Sequence, residues 1–126
     1  MNPIARNAGL AISTGRAAFG VALMAAPGAI GEAWIGEPGR YERVALLTRS
    51  LGARDVALGA GGAVALARGD TDAARLLLAG QALSDVADFA GTLAARGRLP
   101  EAGARWTLVL AGLSAAAVGI TAALLD

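Results

Sequence analysis

The chain has no cysteine, no histidine and no lysine, and only five aromatic residues in 126. Each shortage closes off a class of function. Without cysteine there is no disulfide, no thiolate nucleophile and no sulfur ligand. Without histidine as well, zinc and haem lose their usual ligands, so no metal and no other cofactor is expected. Nor is charge of one sign concentrated. Eleven basic against ten acidic residues leave a formal net charge of +1, which offers nucleic acid no basic face. Strand-like alternation is missing throughout, which points to an all-α fold. At 126 residues there is room for one core, so residues 1–126 are read as a single domain.

What is abundant is apolar sequence. Hydrophobic residues make up 56% of the chain and the mean hydropathy is +0.56, the balance of a membrane protein rather than a soluble one. Every basic residue is arginine, amid much alanine and glycine, a bias expected of a GC-rich bacterial genome and hence of a bacterial inner membrane. Proline, glycine and charge cut the chain into four segments: 7–26, 42–67, 71–95 and 100–125. The first stops at Pro27-Gly28, the second at Arg68-Gly69 and the third at Arg96-Gly97-Arg98. Asp70 or Thr71 stands where a cap for the third belongs, and Pro100 suits the first position of the fourth. Each segment has roughly 20–26 residues, enough to cross a hydrocarbon core of ~30 Å. The expected fold is a four-helix transmembrane bundle, up-down-up-down, with both termini on one side. A soluble bundle would need a polar face on every helix, and the stretch from Thr107 to Leu125 carries no charge at all.

The ends of the segments carry topology signals. Arg6 before an apolar run also resembles the start of a signal peptide, but the run continues to Ala26, which favours a retained helix. Arg40, Arg43, Arg96, Arg98 and Arg105 share one end of the bundle, against Arg6, Arg68 and Arg75 at the other. The positive-inside rule then places both termini outside the cytoplasm. Trp34, Tyr41 and Trp106 fall at the arginine-rich end, as interfacial aromatics do, and the stretch from Gly28 to Gly39 reads as an anchored surface loop, with a short amphipathic piece or lid lying on the membrane surface as the alternative.

Within these apolar segments lie Arg16, Arg49, Arg54, Asp55, Asp85 and Asp88. A charge near the bilayer centre costs roughly 2.5–3.5 kcal/mol on insertion scales, so these six are expected to face one another. On the third segment Gln81, Ser84, Asp85, Asp88 and Thr92 form one polar stripe at about 100° per residue. Counting depth from the arginine-rich end pairs Arg54 with Asp85, Arg49 with Asp88, and Arg16 with Asp55, a neutral network. Gly52, Gly59, Gly61 and Gly62 would allow close helix approach. Gly59-x-x-Gly62 and the stretch from Gly112 to Gly119 are candidate faces for a homo-oligomer.

Two carboxylates beside one guanidinium divide naturally into a base, held ionised by the cation, and an acid, which desolvation and like charge leave with its proton. Such a pair suits epoxide opening, cyclisation or double-bond migration in a lipophilic small molecule reaching the site from membrane lipid. The candidate catalytic residues are Asp55 and Asp85 around Arg54, with Asp88 able to replace either; Arg16, Arg49, Gln81 and Ser84 are candidates for binding the substrate. Other roles fit the same pattern. The network would equally serve a proton- or anion-coupled carrier, or fix helix register in a structural or accessory subunit. The run Gly52-Ala53-Arg54-Asp55 with Leu58-Gly59, followed by Asp85-Val86-Ala87-Asp88, resembles small four-helix integral membrane proteins of bacteria and fungi that have no assigned activity. That resemblance implies the four-helix fold and the importance of Arg54, Asp55, Asp85 and Asp88. It implies nothing about substrate.

Overall fold

In the computed structural model, which describes residues 1–126, the chain is entirely helical. Its helices are α1 (Pro3–Ala25), α2 (Pro27–Ile35), α3 (Glu42–Arg68), α4 (Thr71–Ala95) and α5 (Glu101–Ala123), with single 3-10 turns at Glu37–Arg40 and Arg96–Arg98. The four long helices run alternately up and down, since their contacts are antiparallel: Gly20 meets Gly52, Arg54 meets Asp88, and Asp85 meets Ser114.

The short helix α2 replaces the expected loop between Gly28 and Gly39. Pro27 ends α1 but also starts α2, because a first helical residue has no intrahelical partner for its N–H and proline lacks one. Gly36 stops α2 at a φ of +87°, a conformation side-chain-bearing residues avoid. Local signals fix the other ends as well. The Asn2 side chain accepts from the N–H groups of Ile4 and Ala5, Gly69 closes α3 in the left-handed region, and the Asp70 side chain caps α4 by accepting from Ala73 N–H at 3.0 Å.

Small residues set the packing. α1 lies along α3 with backbones in contact: a Cβ on Gly59 would stand 2.5 Å from both Ala17 N and Ser13 O, and one on Gly20 would stand 2.6 Å from Gly52 O. Gly59 and Gly62 are thereby buried inside the chain rather than left on an outer face. α5 packs against α4, whereas α1 and α5 meet only sparsely. At the end that carries both termini, Leu66, Leu78, Val118 and Leu125 close the bundle in one apolar cluster. At the other end α2 lies over α3 and α5.

The distribution of polarity is inverted relative to a water-soluble bundle. On α4, Leu83 is 69% exposed while Asp85 is 6% exposed, and Gln81, Ser84 and Thr92 are buried as well. Leu76, Val86 and Leu93 on that helix, and Leu110, Leu113 and Ile120 on α5, also face outward. Two helices, α1 and α5, are long and apolar enough to cross a membrane, and little of either is buried.

Candidate active site

Arg16, Asp55, Asp85 and Ser114 stand at the middle of α1, α3, α4 and α5, and their side chains converge. Arg16 donates from Nη1 to Asp55 Oδ1 at 3.2 Å and from Nη2 to Asp85 Oδ1 at 2.5 Å. Ser114 Oγ donates to the other oxygen of Asp85 at 2.6 Å. On the far side of Asp55, Arg54 donates from Nε to Asp55 Oδ1 at 3.2 Å and from Nη2 to Asp88 Oδ2 at 3.1 Å. The result is a linear chain, Ser114–Asp85–Arg16–Asp55–Arg54–Asp88. Its inner end is dry: the Arg16 and Asp85 side chains are each 8% exposed. Its outer end is wetter, with Arg54 at 29% and Asp88 at 25%.

The Arg16–Asp55 contact matches the depth count, but the other two expected pairs do not form. Arg54 reaches Asp88 instead of Asp85. Side chains on a helix lean toward its N-terminus, and for α3 that direction runs toward the α2 end, where antiparallel α4 presents Asp88 one turn beyond Asp85. Arg49 takes no part. It sits about 140° around α3 from Arg54, is exposed, and forms no ion pair. The expected neutral network of three arginines therefore has only two. With every group ionised, three carboxylates face two guanidinium groups, leaving one negative charge in surplus.

A half-enclosed cavity of about 620 Å³ opens over this chain. Its floor is Arg16, Arg54, Asp55, Asp85, Asp88 and Ser114; its walls are apolar and include Phe19 and Leu23 of α1, Ile30 and Trp34 of α2, Leu51 of α3, and Trp106 and Leu110 of α5. Phe19, Trp106 and Leu110 are also exposed on the outer surface, so the mouth lies in the gap where α1 and α5 part. α2 roofs the end. Its Trp34 Nε1 donates to Thr92 Oγ1 on α4 at 3.2 Å, and Gly103 of α5 lets the α2 carbonyls approach, since a Cβ there would be 2.4 Å from Trp34 O.

Other expected site residues lie elsewhere. Gln81 is fully buried below the cluster, donating to Ser13 Oγ and Leu58 O, both at 3.1 Å, and it does not line the cavity. Ser84 bonds back to the Gly80 carbonyl in its own helix. Neither these two nor Arg49 can touch a molecule in the cavity as it stands.

Ser114 and Phe19 are cavity residues that the sequence did not single out, and Trp34 and Trp106, expected as interfacial aromatics, line the cavity as well. A signal for Ser114 exists: Thr107, Ser114 and Thr121 recur every seven residues and mark one inward stripe on the otherwise apolar α5. No known family model, characterised protein or solved structure matches the chain.

Proposed function

We propose that this chain is a multi-pass protein of a bacterial inner membrane that carries out acid–base chemistry on a neutral, lipophilic small molecule. The observation that carries the proposal is a carboxylate in excess of the available arginines, at the floor of an apolar cavity whose mouth is flanked by exposed apolar side chains. A carboxylate that no arginine neutralises is the group free to take up and give back a proton. Asp55 and Asp88 each keep one oxygen without a hydrogen bond and line the cavity, which suits them to act as acid and base. Asp85 has both oxygens engaged, by Arg16 and Ser114, and acts as a positioning residue.

For an epoxide the step balances without a cofactor. The acid delivers its proton to the ring oxygen, the C–O bond breaks with its electron pair on that oxygen, and a neighbouring carbon loses a proton to the carboxylate. The product is an isomeric unsaturated alcohol, and the cluster regains its proton. Ring closure and double-bond migration in a polyene use the same exchange.

Membrane residence is supported by the inverted polarity: large apolar side chains outside, aspartates, serines and a glutamine inside. α3 and α4 carry the charges, so composition alone does not mark them as spans, yet Arg16 and Arg54 offset two of the three carboxylates at mid-helix. The apolar cluster of Leu66, Leu78, Val118 and Leu125 blocks passage toward the termini, which favours a reaction chamber over a carrier. With Arg40, Arg43, Arg96, Arg98 and Arg105 at the α2 end, that end faces the cytoplasm. Kinship with the small four-helix membrane proteins that the Arg54-Asp55 and Asp85/Asp88 motifs resemble is part of the same proposal.

The test is a panel of neutral lipophilic epoxides and polyenes, presented to the reconstituted protein and screened for products of unchanged mass. Wild-type protein should convert at least one class; Asp55→Asn and Asp88→Asn should convert none. Equal conversion by well-folded Asn variants would remove these carboxyls from the mechanism.

A further inference from the structure

The aromatic residues are few, yet three of the five, Phe19, Trp34 and Trp106, line this one cavity, and they include every tryptophan in the chain. Aromatic faces attract cations, most strongly when water is excluded. The same cavity carries one carboxylate more than it has guanidinium groups. An anionic ligand would meet that surplus charge and find both arginines already committed to aspartates. Aromatic walls and the net charge of the floor are independent features, and both favour the same sign of ligand charge.

We infer that the cavity is built to hold a positive charge carried on an apolar skeleton. This rests on the proposed acid–base reading for its second source of such a charge. The charge is either the ligand's own, as in a lipophilic ammonium ion, or it arises when the acid gives its proton to a neutral molecule. In that transfer the ligand gains one positive charge and the cluster returns to one net negative charge, so charge is conserved. The resulting pair is held between the carboxylates and the aromatic walls. An oxygen-protonated epoxide and the carbon cation left by its C–O cleavage both meet this description.

Because both tryptophans line the cavity, intrinsic fluorescence reports its occupancy directly. The full chain in phosphatidylcholine nanodiscs is titrated with dodecyltrimethylammonium, with its uncharged carbon isostere bearing a tert-butyl head, and with dodecanoate, each expressed as mole fraction in lipid. The ammonium should saturate the fluorescence change at a mole fraction at least tenfold below the isostere, and dodecanoate should be weakest. Asp88→Asn should erase most of that preference. Trp106→Leu, at a position 64% exposed, should weaken ammonium binding several-fold with the melting temperature unchanged.

Adding 1,2-epoxydodecane separates the sources. An epoxide that is converted, with the ammonium inhibiting, places the charge in the reaction; ammonium binding with no conversion makes it the ligand's own. An isostere or a carboxylate that binds as tightly as the ammonium overturns the inference. If that happens while Asp55→Asn and Asp88→Asn still abolish turnover, the acid–base reading survives alone. A clear ammonium preference with turnover untouched by either Asn change does the reverse.

Discussion

Replacing Arg16 with methionine probes the inner end of the charge chain. The side chain is 8% exposed and joins two aspartates that no other arginine joins. Methionine retains much of its volume and apolar stem, so the loss is chiefly electrostatic. Asp55 would keep Arg54, but Asp85 would keep only the Ser114 hydroxyl. Stranding one buried carboxylate in this way costs about 3–5 kcal/mol. Adding Asp85→Asn removes the stranded charge, so the double variant should recover part of the loss, with a coupling of about 1–3 kcal/mol. Arg54→Met should cost less, about 1–2 kcal/mol, because that guanidinium and Asp88 are both partly solvated. Reversible unfolding in mixed micelles measures wild type, the single variants Arg16→Met, Asp85→Asn and Arg54→Met, and the double variant. Strict additivity of Arg16→Met and Asp85→Asn, or a larger loss for Arg54→Met, would refute the ordering from dry inner end to wetter outer end.

Arg49→Ala should leave unfolding within about 0.5 kcal/mol of wild type, since the residue is exposed and unpaired, and micelle unfolding checks this too. Gly59→Val should prevent α1 from seating on α3 and give aggregated protein on size-exclusion chromatography, whereas Gly119→Ala, with nothing within 4 Å, should behave as wild type. Ser114→Ala should lower stability by about 1.5–3 kcal/mol, the range for a hydrogen bond to a charged group, without changing the helical circular-dichroism signal. A cysteine at Glu37 should react with impermeant thiol reagent only once the cytoplasmic face is exposed, and one at Asp72 should react from outside; the opposite pattern would reverse the orientation.

The long helices were legible because their punctuation is local: Pro27, Gly69 and Pro100 act within a turn of where they stand. The inward stripe of α4 was legible for a related reason, since a helical period fixes which residues share a face. α2 is legible only as the lesser of two readings of its stretch, because Pro-Gly both ends and begins helices, and nine residues are too few for a periodic pattern to declare itself. Ion-pair register was the least legible layer. Counting depth locates a Cα, but an arginine reaches a full turn along the axis, and that is enough to exchange Asp85 for Asp88. Depth alone places Arg49 in the network, whereas its angle around α3 puts it outside. The cavity itself arises where α1 and α5 diverge, a relation between the two ends of the chain that no local pattern encodes.

The central claim is that the surplus carboxyl exchanges a proton with a molecule in the cavity, and solvent deuterium tests it most directly. Wild-type protein, Asp55→Asn and Asp88→Asn are each incubated in D2O with the substrate class that the panel identifies. Product mass and melting temperature are then read on the same samples. With a polyene, whose proton is delivered to carbon, wild-type product should carry one deuterium in a non-exchanging C–D bond where the carboxyl re-equilibrates with solvent between cycles. With an epoxide, whose deuterium ends on an exchangeable hydroxyl, product formation itself is read. Both Asn variants should remain folded and yield no product. Folded Asn variants that form deuterated product at the wild-type rate would contradict the claim.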